Sequence, residues 1–253
     1  MSITEGAPPE AQRSPPAQRP RAWWLLVAAS GLVLVLVAGG LTAWWAATRE
    51  TRTSTYDVLG DLGGITLDLQ DADVQIDGGS AAVEVRKVDR FAFGRASTER
   101  RSVRDGVLTL VSRCPDQVLG GCRTTYRLTV PDNVPVTVRT SSGAVRLSGV
   151  RASVKVNTGS GAITATGFCG HSLAAVSDSG AVSAGAECSV EQLTLRSRSG
   201  DVSAVVPAGR YRVDAESDSG TSRVRGVTDA DDALFQVQAL STSGNVSVDG
   251  TAT

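Results

Sequence analysis

LAAVSDSGAVSA (Leu173–Ala184) decides how this chain folds. Apolar residues alternate at Leu173 and Ala175, a hydroxyl follows at Ser177, a Ser-Gly pair ends at Gly180, and alternation resumes at Val182 and Ala184. A period of two is the mark of a strand with one buried face. The phrase therefore reads as two short strands joined by a bend.

The bend recurs. Ser-Gly pairs end at Gly143, Gly161, Gly180, Gly200, Gly220 and Gly244, with spacings of 18, 19, 20, 20 and 24. Two residues before each Ser stands Thr140, Thr158, Ser177, Ser197, Ser217 or Ser241, so all six copies read [TS]-x-S-G. Val136 and Val138, Val154 and Val156, Leu193 and Leu195, and Val237 and Ala239 repeat the upstream pattern. Downstream, only Ser222 before Val224 breaks it. A fixed recurrence near 20 residues is a solenoid signature, because each unit can bury its apolar face only against its neighbours. The sequence thus predicts an all-β, parallel β-solenoid (β-helix) with turns of about 20 residues and the six glycines stacked at one corner. Some 200 residues would make about ten turns. A β-sandwich is the alternative, since it also uses short alternating strands.

Cys169 and Cys188 each lie eight residues past a repeat glycine, which places them side by side on adjacent turns. Turns about 4.8 Å apart bring two Cα atoms within disulfide range. Cys114 and Cys122 bracket PDQVLGG, a turn-prone loop. The pairs Cys169–Cys188 and Cys114–Cys122 are therefore expected, with free or metal-bound thiols as the alternative.

Upstream of the repeats, residues 22–48 carry no charge. That length exceeds the roughly 20 residues a spanning helix requires, and a cleaved signal has a shorter apolar core of about 7–15. Trp23 and Trp24 face Trp44 and Trp45 across about 31 Å of helix, matching the interfacial preference of tryptophan. Residues 1–21 are rich in Pro, Ala, Gln and Arg and read as a disordered tail. The expected order is a cytoplasmic tail (1–21), a transmembrane helix in the lipid bilayer (22–48), a linker (49–55) and a solenoid ectodomain (56–253). Arg13, Arg19 and Arg21 before the span against Arg49 and Arg52 after it favour a cytoplasmic N-terminus. All four cysteines lie beyond the span, as an oxidising compartment allows.

YRLTVPDNVPVTVRTSSGAVRLSG (Tyr126–Gly149), followed by the Ser-Gly repeats, resembles the bacterial DUF4097 family of β-strand-repeat proteins, which are labelled adhesin candidates. The resemblance extends from about Tyr56 to Gly250 and implies a β-solenoid-like domain on a membrane-associated bacterial protein. It implies no ligand and no activity. DRFAFGRASTERRSVRDG (Asp89–Gly106) breaks the alternation and reads as an exposed loop or hairpin at the capping end.

Other candidate chemistry is weak. GHSLA (Gly170–Ala174) mimics a nucleophile elbow, but His171 is the only histidine and sits inside the motif, so it cannot also serve as the base. The acids Asp71, Asp73, Asp77, Asp229, Asp231 and Asp232 could offer calcium ligands; solvated loops are the simpler reading. Outward positions such as Arg139, Lys155, Thr194, Asp214 and Gln238 show no aligned acid pair for glycoside chemistry. Seven aromatics lie beyond the span: Tyr56, Phe91, Phe93, Tyr126, Phe168, Tyr211 and Phe235. A formal charge of −1 gives no reason to expect nucleic acid. The reading is a non-enzymatic, membrane-anchored surface module binding a protein or an envelope polymer, with no catalytic, cofactor or metal residue nominated. An envelope-stress regulator or scaffold and a carbohydrate-active enzyme are the alternatives.

Overall fold

Strands need partners, and a strand whose inward side chains are Val, Leu, Ile or Ala finds them on both edges in a stack. The computed structural model describes residues 21–47, 49–58, 60–92, 95–115 and 122–251. The predicted tail lies outside these, apart from Arg21, which opens the helix Arg21–Ala47. That helix is apolar all round, and Trp24 and Trp44 are exposed along it.

The unit that begins at Thr48 is built from parallel rungs. Each of the six repeat rungs contributes one strand to a first sheet, turns at the Ser-Gly corner, and contributes the next strand to a second sheet. Val136–Ser142 pairs with Val154–Ser160, which pairs with Ser172–Ser177, which pairs with Gln192–Ser197, all parallel and in register. The second sheet follows the same order through Val145–Ser148, Ile163–Phe168, Val182–Ala186 and Val202–Pro207. Between the sheets runs a narrow apolar shaft of residues such as Val138, Val156, Ala175, Leu195 and Ala239, all fully buried. Continuous parallel ladders of this kind rule out the sandwich.

Spatial order departs from chain order at both ends. Gln192–Ser197 pairs with Gln236–Ser241, and only then comes Arg210–Ser217. Likewise Val202–Pro207 pairs with Val246–Thr251, which pairs with Ser222–Arg225. The last-written rung is intercalated before the one preceding it. At the other end, the bent strand Gly64–Gly78 lies between the rung of Val136–Ser148 and an outer rung made by Val107–Arg113 and Arg123–Val130. Eight rungs stack among the described residues, fewer than the ten expected, because the remaining N-terminal strands build a cap instead.

That cap is antiparallel. Arg49–Val58 pairs with Val83–Ala92, which pairs with Arg123–Val130. Residues 49–55, expected as a linker, are thus strand: their Thr-rich, β-branched sequence finds an edge to extend. Thr98–Arg104 forms a hairpin with Val107–Arg113 through Asp105 and Gly106, both at positive φ (51° and 73°). An Asp-Gly pair with both residues at positive φ fits the tight hairpin turn that matches strand twist.

Candidate functional site

The [TS]-x-S-G corner is where the repeat does its chemistry. A Cβ placed on Gly161 would lie 2.0 Å from the Gly143 carbonyl oxygen, on Gly180 2.1 Å from that of Gly161, and on Gly200 2.4 Å from that of Gly180. The column continues from Gly200 to Gly244 and from Gly244 to Gly220. The six glycines therefore form one file, with the last two exchanged relative to the chain. In four of the six copies the hydroxyl two residues before the Ser binds along the same file. Ser177 donates to the Gly161 carbonyl (3.0 Å), Ser197 to Gly180 (2.8 Å), Ser241 to Gly200 (2.8 Å) and Ser217 to Gly244 (2.6 Å). Thr140 donates instead to Ser142 and Gln70 carbonyls. Thr158 is buried with its hydroxyl unpaired. The hydroxyl is a rung-to-rung staple, which answers why so plain a motif is repeated.

Cys169 and Cys188 form a disulfide between adjacent rungs, with Cα atoms 5.0 Å apart. Cys114 and Cys122 form a second, with Cα atoms 5.9 Å apart, closing the loop that leads into Arg123–Val130. No described cysteine is free. His171 is exposed beside Glu191 (Nδ1–Oε1 3.3 Å).

The acidic insertion has a mechanical role that its composition did not announce. Arg212 donates its backbone N–H to Phe235, so the backbone groups of Tyr211 and Val213 face away from the stack. The insertion folds over that bare edge: Thr228 and Ala230 donate to the Gly209 and Tyr211 carbonyls, and the Asp229 carboxylate accepts from the Val213 N–H (3.0 Å). Asp232 pairs with Arg210 (2.6 Å), and the Asp231 carbonyl accepts from Arg212 (3.0 Å). Ser222 covers the Ala215 carbonyl (2.6 Å). An open strand edge invites pairing with other chains, and these contacts blunt it. Near the other end, Asp71 accepts from Ser142 (2.5 Å), Asp73 accepts from the Ala144 N–H (3.0 Å), and Asp77 from Gln75 (3.1 Å). Among the described residues, no group of three or more metal-ligating side chains converges.

A buried ionic cluster inside the cap was missed from the sequence. Glu99 receives the Tyr56 hydroxyl on one oxygen (2.8 Å) and the Tyr126 hydroxyl on the other (2.8 Å). Lys87 sits 3.0 Å from Asp89 and 3.6 Å from Glu99. Asp89 also accepts from Ser97 (2.7 Å) and Thr124 (2.9 Å), and Arg101 lies 4.0 Å over the Tyr56 ring. Burial pushes both phenols well above the usual tyrosine range, with Glu99 adding to the effect in each. The signal was present for two members: Lys87 and Asp89 occupy inward places in VEVRKVDRFA, alternating with Val85 and Phe91. The cluster closes the apolar shaft with a polar plug, as terminal repeats of a solenoid must.

The aromatics are largely spent on packing. Phe91, Tyr126, Phe168 and Tyr211 are buried, Tyr56 and Phe235 are half-buried, and Phe93 lies outside the described residues. Tyr211 donates to the Pro207 carbonyl (2.9 Å) and packs 6.0 Å from Phe235, plugging the far end of the shaft. A shallow groove of about 340 Å³ runs over Val176, Asp178, Arg196, Arg198, Glu216 and Asp218 on the first sheet. Asp178 and Arg198 pair there at 3.2 Å, and Arg196 donates to Gln238 (2.6 Å).

The family model described as Toastrack DUF4097 matches residues 132–228, the stretch holding the first five Ser-Gly corners. The chain carries a Toastrack DUF4097 segment. Solved structures similar to it include a candidate cell-adhesion protein from Clostridium sporogenes (10% identical, covering 80% of this chain and 100% of that one, TM-score 0.46). Another is a candidate adhesin from Bacteroides fragilis (12% identical, 80% and 97% covered, TM-score 0.46). A third, from Parabacteroides merdae, is 11% identical with a TM-score of 0.36. No curated protein matches the chain. The Toastrack segment covers the regular middle of the stack; the ionic cap and the intercalated final rung lie outside the match.

Proposed function

We propose that this Toastrack chain is a membrane-anchored, non-catalytic binding module, with the bilayer holding residues 22–48 and the solenoid displayed on the extracytoplasmic side. The observation that carries the reading is the long apolar helix, followed at once in sequence by the β-unit. A 27-residue apolar helix ends at Ala47 and the first strand starts at Arg49, so one residue separates them. Two disulfides in the β-unit favour an oxidising compartment. The buried ionisable groups have structural partners, and four of the six corner hydroxyls are spent on rung-to-rung bonds, so what the stack offers a partner is its outer face. That partner is a protein or an envelope polymer.

The test is fractionation of the full chain with a C-terminal epitope. It should stay in the membrane pellet through alkaline extraction, and the epitope should be open to added protease in spheroplasts. Release by alkali, or protection until the membrane is lysed, would overturn the anchor or its orientation. The β-unit should also bind isolated envelopes saturably and leave their polymers uncut.

A further inference from the structure

The outer face of the cap sheet carries an arrangement of arginines that folding does not require. On Val83–Ala92 the odd-numbered residues point inward and Glu84, Arg86, Val88 and Arg90 point out. Across the antiparallel ladder, Arg86 stands directly opposite Arg127 and Arg90 directly opposite Arg123. The row through Arg127 continues to Gln75 and then to Arg146. All five arginines are exposed. Like charges placed opposite each other destabilise a sheet. Charge on an edge strand has a protective use, but these strands are interior: Arg49–Val58 and Gly64–Gly78 flank them. Asp73 relieves one pair by bonding Arg123 (3.2 Å). Among the described residues, no ion pair or hydrogen bond is formed by the side chains of Arg86, Arg127 or Arg146.

The charges are also ordered along the strands. The row two residues further on holds Asp57, Glu84, Thr129 and Asp77, so acids mark one end of the face. The opposite end holds Arg90 and Arg123, and there the chain enters the sheet: Arg49 pairs with Ala92, and Thr51 with Arg90. The basic end is thus the one at which residues 22–48 lead into the sheet in sequence. Farther along the same sheet, the outward places next in line are neutral: Thr164, Ser183, Ser203 and Ser247.

We propose that this face, through Arg86, Arg127 and Arg146 with Arg90 and Arg123 beside them, binds the anionic phospholipid headgroups of the leaflet from which the span emerges. The proposal rests on the membrane-anchored reading. Phosphates supply the counter-charge that the paired guanidiniums lack, and the strand that opens at the basic end follows the span directly in sequence.

The test uses residues 48–253, a compact unit of their own that holds every buried core residue among the described residues and both disulfides, and so should fold without the helix. This anchor-free unit should sediment with vesicles of phosphatidylcholine containing phosphatidylglycerol and not with phosphatidylcholine alone, and salt should release it. Each arginine near an anionic surface is worth about fivefold in partitioning, so the triple variant R86S/R127S/R146S should bind on the order of 100-fold more weakly. R86K/R127K/R146K should keep most of the binding, and R198S/R223S/R225S, at a distance from the cap, should keep all of it. Thermal melting should show the serine triple as stable as the parent or more so. Equal binding to neutral vesicles, unchanged binding by the serine triple, or no binding at low salt would overturn the proposal. So would arginine-dependent binding to soluble poly(glycerol phosphate) without binding to vesicles, which would make the occupant a polymer. Alkaline extraction of the full chain reads the anchor independently, so a failed vesicle assay with a retained pellet sinks only the lipid face.

Discussion

Gly180→Ala and Gly185→Ala, five residues apart on one rung, should behave oppositely. Neither glycine has a φ in the left-handed region, so the contrast is one of space alone. At Gly180 the added methyl would meet the Gly161 carbonyl oxygen at 2.1 Å and the Ser177 hydroxyl at 3.0 Å. Backbone cannot yield as a flexible side chain does, so the two rungs must part by about 1 Å at the corner. Overpacking of this kind costs about 1–3 kcal/mol. The Ser197 bond to Gly180 and its neighbours in the ladder would stretch as well, at about 1 kcal/mol each. The sum is about 3 kcal/mol, which for a domain of this size lowers the melting temperature by roughly 6–12 °C. At Gly185 the nearest atom is the Ala165 carbonyl oxygen at 3.8 Å, an ordinary contact. There alanine restricts only the unfolded chain and should stabilise by about 0.5 kcal/mol. Both values come from thermal unfolding of residues 48–253 followed by circular dichroism near 218 nm, a wavelength where β-structure absorbs. A Gly180→Ala melt within about 2 °C of the parent would refute the close corner file.

Three further outcomes follow from the same geometry. Ser197→Ala should cost about 1 kcal/mol in urea unfolding, whereas Thr158→Val should cost nothing or stabilise, because its buried hydroxyl has no partner. Removing the Cys169–Cys188 bridge with paired alanines opens a loop of 19 residues and should cost about 3 kcal/mol, read from the urea midpoint. Stability should fall as pH rises above 10, since Tyr56 and Tyr126 ionise freely once unfolded but are held neutral in the fold by burial; their pKa values are raised, so the stabilisation is complete below pH 10 and lost above it. Tyr126→Phe should flatten that alkaline decline, and a decline of unchanged steepness would count against the buried cluster.

The middle of the stack was legible because one residue type per place repeats: Val136, Val154, Leu173 and Leu193 share a column, and their glycines fix the corner. Cys169 and Cys188 could be paired from the same register. The ends were not legible, because there the chain departs from its own periodicity. Spacing alone cannot say that Gln236–Ser241 pairs with Gln192–Ser197 ahead of Arg210–Ser217, since both candidate strands offer the same inward Val and Ala. The extra residues of the last spacing were visible, but their use as an edge cover depends on backbone groups that any residue supplies. Glu99 lies in a strand of otherwise exposed side chains, and nothing local marks it as the meeting point of two phenols.

The exchanged order of the final two rungs also bears on how the molecule is finished. Until Gln236–Thr251 has been made, Gln192–Pro207 faces solvent with an unfilled ladder, and Arg210–Arg225 has no neighbour in its native place. A ribosome-bound chain cannot simply add rungs as they emerge; it must leave a slot and fill it last. Completion of the shaft and closure of its exit thus depend on one segment, so that a chain broken between Gly209 and Gln236 leaves neither rung in its native place.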